Sequence, residues 1–254
     1  MVVFMQKQLK VSAIIQARMG SERLPGKVLM PICGKSVLEH IVERLKFCKF
    51  LHHIILAIPD TKENDILEKF AQDNLLAYYR GSEEEVLERV YLAAKKNNCD
   101  VVVAITADNP LIDPEIIDTA VEQHVHSGAD YSCTEYPSKF LPVGLGIELF
   151  NFKALAIAYK NAKDAYQKEH VSSHFYETPD AFKITKVVLP EDLKNPGLRL
   201  TLDTKEDLEL ISYIYTKLYK PGEIFKTKEI FDLLKSEPQL KKINAHVIQK
   251  TRIA

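Results

Sequence analysis

The segment Ile15-Gln16-Ala17-Arg18-Met19-Gly20-Ser21-Glu22-Arg23-Leu24-Pro25-Gly26-Lys27 gathers Arg18, Arg23 and Lys27 into one short stretch with Gly20 and Gly26. Glycine lets a backbone approach an anion closely, and amides in such turns form anion-binding nests. Arginine offers a phosphate a planar fork, and lysine offers a point charge. A loop built this way suits a triphosphate. Its glycine spacing fits neither the Walker A loop nor the dinucleotide-binding fingerprint. On composition alone, a solvated loop whose cations only keep it soluble competes with that reading.

Two acidic positions complement these cations. In Ile105-Thr106-Ala107-Asp108-Asn109-Pro110-Leu111-Ile112-Asp113, Asp108 comes just after an apolar run. A carboxylate there can hold Mg²⁺, which takes one or two carboxylates and completes its shell with phosphate oxygens and water. A turn-forming Asp before proline is the alternative. Asp113, followed by Pro114, reads as the N-cap of a helix. In Leu200-Thr201-Leu202-Asp203-Thr204-Lys205-Glu206-Asp207-Leu208, Asp203 ends a strand-like run. Helix capping by Asp203 or Thr204, with Glu206 completing the box, is the plain reading. Both roles are compatible if Thr204 caps while Asp203 faces a metal. Arg80-Gly81-Ser82 reads as a tight turn, with Ser82 either capping the next helix or bonding a ribose or base.

The elements that must position these residues alternate. Val11–Ile15, Ile54–Ile58, Ala77–Tyr79 and Val101–Thr106 are short apolar runs that read as strands. Between them, Ser36-Val37-Leu38-Glu39 opens a helix with a capping box, and residues 63–73 and 83–97 show helical spacing. This order predicts an α/β fold: a mostly parallel sheet with helices on both faces. Right-handed crossovers place the loops after the strands on one edge, where ligands bind in such sheets. Gln16–Lys27, Arg80–Ser82 and residues 107–113 are thereby predicted to be neighbours. Further on, 130–134, 147–150, 184–189 and 198–202 read as strands, and 151–161, 167–177, 204–218 and 227–234 as helices. No linker rich in Gly, Ser or Pro divides the chain. Residues 1–254 are expected to form a single domain with an inserted lobe at about 134–190.

Composition narrows the function classes. With 46% apolar and 27% charged residues over 254 positions, the chain can bury a core without metals or disulfides. A formal net charge of −1 lacks the basic excess of a nucleic-acid binder. No apolar run is long enough to span a bilayer, and MVVFMQKQLK lacks the order of a signal peptide, so a cytoplasmic protein is expected. Cys33, Cys48, Cys99 and Cys133 have no metal-ligand spacing and read as reduced, mostly buried thiols.

The Arg-Met-Gly-Ser-Glu-Arg-Leu-Pro-Gly-Lys loop resembles the signature of sugar nucleotidyltransferases with a Rossmann-like, GT-A-type fold. It is most similar to the spore-coat polysaccharide biosynthesis protein F family, and also to 3-deoxy-manno-octulosonate and acylneuraminate cytidylyltransferases. The resemblance spans about residues 11–210. It implies that Gln16, Ala17, Arg18, Met19, Gly20, Arg23 and Lys27, with Thr106 and Ala107, bind the nucleotide, and that Ser82 lies near it. It implies catalytic roles for Arg18, Lys27 and Asp108, and Mg²⁺ binding by Asp108 and Asp203. Gly144-Leu145-Gly146-Ile147-Glu148 and Glu169-His170-Val171 fit, by position, an acceptor pocket and a homodimer contact. Their plain alternatives are a strand with glycine bulges and a helix with an exposed ion pair.

The resemblance therefore implies transfer of CMP from CTP to an anionic sugar or ketosugar acid, with release of pyrophosphate, for polysaccharide or glycoconjugate synthesis. A guanylyl- or other nucleotidyltransferase acting on a sugar 1-phosphate is an alternative, because no base-selecting residue is legible. A glycosyltransferase of similar fold would carry Asp-x-Asp where this chain has Asp108-Asn109-Pro110. A non-catalytic nucleotide-binding module would have little use for both Asp108 and Asp203.

Overall fold

A computed structural model describes residues 9–135 and 138–249. Residues 1–8, on which the expectation about an N-terminal signal rests in large part, lie outside the described residues. Along the chain run β1 (Val11–Gln16), a small hairpin of β2 (Pro31–Ile32) and β3 (Lys35–Ser36), α1 (Val37–Leu45), β4 (His53–Pro59), α2 (Asp65–Asp73), β5 (Ala77–Gly81), α3 (Val86–Lys96), β6 (Val101–Thr106) and α4 (Pro114–Ser127). There follow β7 (Tyr131–Cys133), β8 (Glu148–Asn151), α5 (Phe152–Asn161), α6 (Ala165–Glu169), α7 (Ser173–Glu177), β9 (Ile184–Lys186), α8 (Lys205–Leu218) and α9 (Thr227–Ser236).

All strands except the hairpin join one seven-stranded sheet in the order β5-β4-β1-β6-β8-β7-β9. β5, β4, β1 and β6 are parallel. β8 runs antiparallel to both of its neighbours, and β9 returns parallel to β7. The strands read as continuous apolar runs because both faces are covered. Ala13 and Ile15 enter one buried cluster, which also holds residues of α1, α4 and α8, while Ile14 enters the other, with α3 and α5. Val103 and Ile105 part from Val102 in the same way, as do Leu56 and Ile58 from Ile55. Each fully buried aliphatic side chain is worth roughly 1.5–3 kcal/mol, so this two-sided burial fixes the sheet.

Local signals set the helix starts. The side chain of Ser36 and that of Glu39 form a reciprocal capping box on α1. Asp113 caps α4 ahead of Pro114, and its other oxygen accepts from the amide and hydroxyl of Thr227, tying down α9. Thr204 caps α8, and its box partner is Asp207 rather than Glu206.

The segment at about 134–190 contributes β8 and β9 to the same hydrogen-bonded sheet. Two sequence expectations change. The helix expected over 167–177 breaks into α6 and α7, because the His170 carbonyl is taken by the Ser173 amide and hydroxyl. Residues 198–202 make no regular strand. Leu200 donates to the Val143 carbonyl but Leu202 donates to that of Asp108, so the segment stitches two loops together.

That stitching needs a glycine. Gly144 has φ +101°, and a Cβ there would lie 2.7 Å from the Thr201 nitrogen. Gly144→Ala should therefore destabilise the protein by about 2 kcal/mol or more. Chemical denaturation measures it, and a loss below about 0.5 kcal/mol would show that the segment tolerates a shift.

Candidate active site

β1 and β6 are adjacent, with Gln16 opposite Thr106, so their C-terminal loops leave the sheet side by side. The Ala17 amide donates to Ala57 and the Ala107 amide to Gln16. The first loop then folds on itself: the Met19 carbonyl accepts from Ser21 (2.9 Å) and Gly26 (3.0 Å). The Met19 amide is held by the buried Asn64 side chain at 2.9 Å. Gly26, at φ +70°, turns the chain so that Lys27 points back under the loop. From the other side, the Leu202 amide bonds the Asp108 carbonyl at 2.8 Å and brings Asp203 to the same place.

The three segments meet at one ammonium. Lys27 Nζ donates to Asp108 Oδ2 (2.9 Å), Asp203 Oδ1 (2.8 Å) and the Leu202 carbonyl (2.8 Å). These three acceptors use all of its protons. Lys27 is only 9% exposed, so this is a pairing in a largely dry environment. Asp203 Oδ2 also pairs with Arg23 (2.9 Å) and Arg199 (2.8 Å). Burial opposes ionisation of Asp203, but Lys27, Arg199 and Arg23 outweigh it and hold the carboxyl below its usual range. Asp108 Oδ1 accepts from the Thr106 hydroxyl at 2.6 Å.

A layer behind Asp203 holds it in place. Arg199 grips the fully buried Asp207 with two forked bonds, Nε to Oδ1 (2.9 Å) and Nη2 to Oδ2 (2.8 Å). Asp207 also accepts from the Asp203 and Thr204 amides and from Asn244. Its capping role and its grip on Arg199 are thus one arrangement.

These groups stand at a cavity of about 740 Å³. Of the residues singled out in the sequence, Gln16, Ala17, Arg18, Arg23, Lys27, Thr106, Ala107, Asp108, Glu169, His170 and Asp203 line it. Met19, Gly20 and Ser82 stand outside that lining. Met19 and Gly20 shape the loop, and the Ser82 hydroxyl accepts from the Glu85 amide (3.0 Å) just before α3. Arg80 is taken up by Asp60, Asp65 and Glu68. Arg89 on α3 lines the cavity and was missed in the sequence. It is buried on its helix with Leu87, Val90, Ala93 and Ala94, and a charge among apolar helix positions is the signal that could have found it. Burial, with Arg18 nearby, lowers its pKa to about 10, which still leaves it charged at neutral pH.

The Arg199–Asp207 pair makes a stability prediction. Burial works against the Asp207 carboxylate, but Arg199 and Asn244 hold its pKa below the usual value. A carboxyl depressed in the folded state stabilises the fold where it is ionised, and loses that contribution as acid protonates it. Stability should therefore fall as the pH drops below about 4. Asp207→Asn should flatten that limb and cost about 3 kcal/mol at neutral pH, by leaving buried Arg199 short of a partner. Denaturant melts from pH 3 to 7 check both, and an unchanged acid slope would rule out Asp207 as its source.

The geometry has counterparts. A sequence model described as Cytidylyltransferase matches residues 12–243. An uncharacterized protein of Methanocaldococcus jannaschii is 42% identical over 96% of this chain and 98% of its own length. The spore coat polysaccharide biosynthesis protein SpsF of Bacillus subtilis is 34% identical over 89% of this chain and 94% of its own. The solved structure of a cytidylyltransferase from Leptospira borgpetersenii superposes with a TM-score of 0.86 at 28% identity, over 96% of this chain and all of that one. On sequence and on shape alike, this chain belongs to the cytidylyltransferase family.

Proposed function

We propose that this chain transfers CMP from CTP to a hydroxyl of a sugar acid, releasing pyrophosphate, in the synthesis of a surface polysaccharide or glycoconjugate. The observation that carries the reading is the meeting of Arg23, Lys27, Asp108 and Asp203 at one cavity. The attacking hydroxyl forms a bond to the α-phosphorus as the bond to the bridging oxygen of the pyrophosphate breaks. Charge grows on the leaving group, and cations already in place lower the barrier without reorganising. Arg18, Arg23 and Arg89 are the side chains for that work, with Lys27. Because Lys27 has all three protons engaged, it must give up at least one present bond to hold a phosphate.

Mg²⁺ belongs to this reading. Arg18, Arg23, Lys27 and Arg89 face Glu22, Glu83, Glu84, Asp108, Glu169 and Asp203 around the cavity, a formal balance of −2 with His170 neutral. A triphosphate entering an acid excess needs added positive charge. Asp108 and Asp203, two carboxylates on one ammonium, match the small protein share that Mg²⁺ takes. Held by them, the ion would draw charge from the phosphate oxygens and the departing pyrophosphate.

A second cavity of about 260 Å³ adjoins the first through Gln16 and Thr106, which line both, and the reading assigns the sugar to it. A homodimer through residues 134–190 and a cytoplasmic location complete the reading. The short edge strand β9 and the exposed Val188 support the former. Among the described residues no helix is long and apolar enough to cross a membrane.

Pyrophosphate release, screened with the four ribonucleoside triphosphates against charged sugars, tests the whole. CTP should be the donor used. Lys27→Ala and Asp108→Asn should each lower turnover by about 100-fold or more while the fold is retained. Near-wild-type rates in either folded variant would remove the assignment.

A further inference from the structure

Lys27 takes one oxygen from each of its two acids, and other groups hold the second. Asp108 gives Oδ1 to the Thr106 hydroxyl (2.6 Å) and Oδ2 to Lys27 Nζ (2.9 Å). Asp203 gives Oδ2 to Arg23 (2.9 Å) and Arg199 (2.8 Å), and Oδ1 to Lys27 Nζ (2.8 Å). Among the described residues, Asp108 Oδ2 and Asp203 Oδ1 have no hydrogen-bond partner besides that ammonium. Its withdrawal would bare one oxygen on each carboxylate, both facing the place Nζ had held, while the other oxygen of each stayed anchored. The Leu202 carbonyl, at 2.8 Å from Nζ, faces the same place. Two carboxylates and a carbonyl are hard oxygen donors of the kind a divalent ion takes.

The ammonium can leave without the backbone. The Lys27 amide bonds the Leu24 carbonyl (3.2 Å) and its carbonyl accepts from Met30 (3.1 Å), so the turn stays closed whatever the side chain does. The stem of a lysine is flexible, and Lys27 lines the cavity that Arg18, Ser21 and Arg23 also line. Rotation within the side chain is enough to carry Nζ toward that space.

Charge decides when it leaves. Lys27, Arg23 and Arg199 balance Asp108, Asp203 and Asp207. A divalent ion added to this balanced cluster would bring two unmatched positive charges into a largely dry place. An ion that evicted Lys27 would also strand the ammonium without its acceptors. A triphosphate removes both objections, because it offers Lys27 new oxygens and its own charge matches that of the ion.

We propose that Lys27 is a place-holder cation: in the free protein its ammonium keeps the position between Asp108 and Asp203, and it yields that position only when the phosphates of the donor receive it, so that ion and nucleotide enter together. This rests on the reading that the chain binds CTP with Mg²⁺ at this cavity. Asp108 and Asp203 are then matched in both states, and the free protein takes up no divalent ion without a nucleotide.

Mn²⁺ without nucleotide is the probe, since it suits the same oxygen ligands, and the loss of its free electron paramagnetic resonance signal measures binding. Lys27→Met keeps the bulk of the side chain and removes the charge. It should bind one Mn²⁺ per chain about ten-fold or more tightly than the wild type, because the competing charge-assisted bonds are gone. In chelator it should melt below the wild type, with two carboxylates short of a partner, and Mn²⁺ should restore much of the loss. The wild type should not respond to Mn²⁺ alone. Adding Asp203→Asn to Lys27→Met should abolish the gain in Mn²⁺ affinity. Should Lys27→Met fail to fold, Lys27→Gln carries the same comparison. Equal Mn²⁺ affinity in the wild type and the neutral variant, or a wild type that Mn²⁺ alone stabilises, would overturn the proposal. Calorimetry with CTP and Mg²⁺ separates the two levels: absence of CTP binding to the wild type would instead overturn the nucleotidyl-transfer reading beneath it.

Discussion

A lysine ammonium held between two carboxylates, mostly out of water, sets the terms for the rest of this fold. Removing such ions from water costs several kcal/mol each even after relaxation, so the site stands only if every charge is matched. The matching is complete: Lys27, Arg23 and Arg199 meet Asp108, Asp203 and Asp207, three charges of each sign in one connected cluster. The partners lie far apart in sequence. β1 and β6 must therefore be neighbours, and the chain must return after β9 to lay Leu202 against Asp108. Arg199 and Asp207 touch neither Lys27 nor Asp108, but without them Asp203 would be held from one side only.

The position of this cluster follows from topology. After β1 the chain moves to β4 on one side, and later returns to β6 on the other. Loops that leave adjacent parallel strands in opposite directions open a crevice at their C-terminal ends, where ligands of such sheets bind. Arg23 and Lys27 arrive from the first loop and Asp108 from the β6 loop, while the late return brings Asp203 and Asp207 together with Arg199. The cavity that results has an acid excess.

What was legible in the sequence was what is local. The Gln16–Lys27 loop declared itself because its cations and glycines lie within one turn of chain. The two caps at Ser36 and Asp113 were legible because capping is decided within four residues. Asp108 was legible because it follows an apolar run that could only be a buried strand. Arg89 was not, since its neighbours read as an ordinary helix stripe and its place at the cavity depends on how α3 packs. The stitching role of 198–202 was also hidden, because it is set by bonds to distant carbonyls. Glu206 was taken for the capping partner that Asp207 proved to be, a shift of one residue that decides which carboxylate is left to grip Arg199.

The two cavities meet at Gln16 and at the hydroxyl of Thr106. Thr106 stands at the end of β6, lines both spaces, and gives its only proton to Asp108. With that proton spent, its oxygen can only accept, and Asn109 is oriented with its amide nitrogen toward it. The bond from Thr106 to Asp108 therefore fixes which way the Asn109 amide faces. The orientation of that amide is in this way set by the same carboxylate that meets Lys27. The two cavities thus share one hydrogen-bond chain at the β1–β6 edge, rather than being pockets that happen to be adjacent.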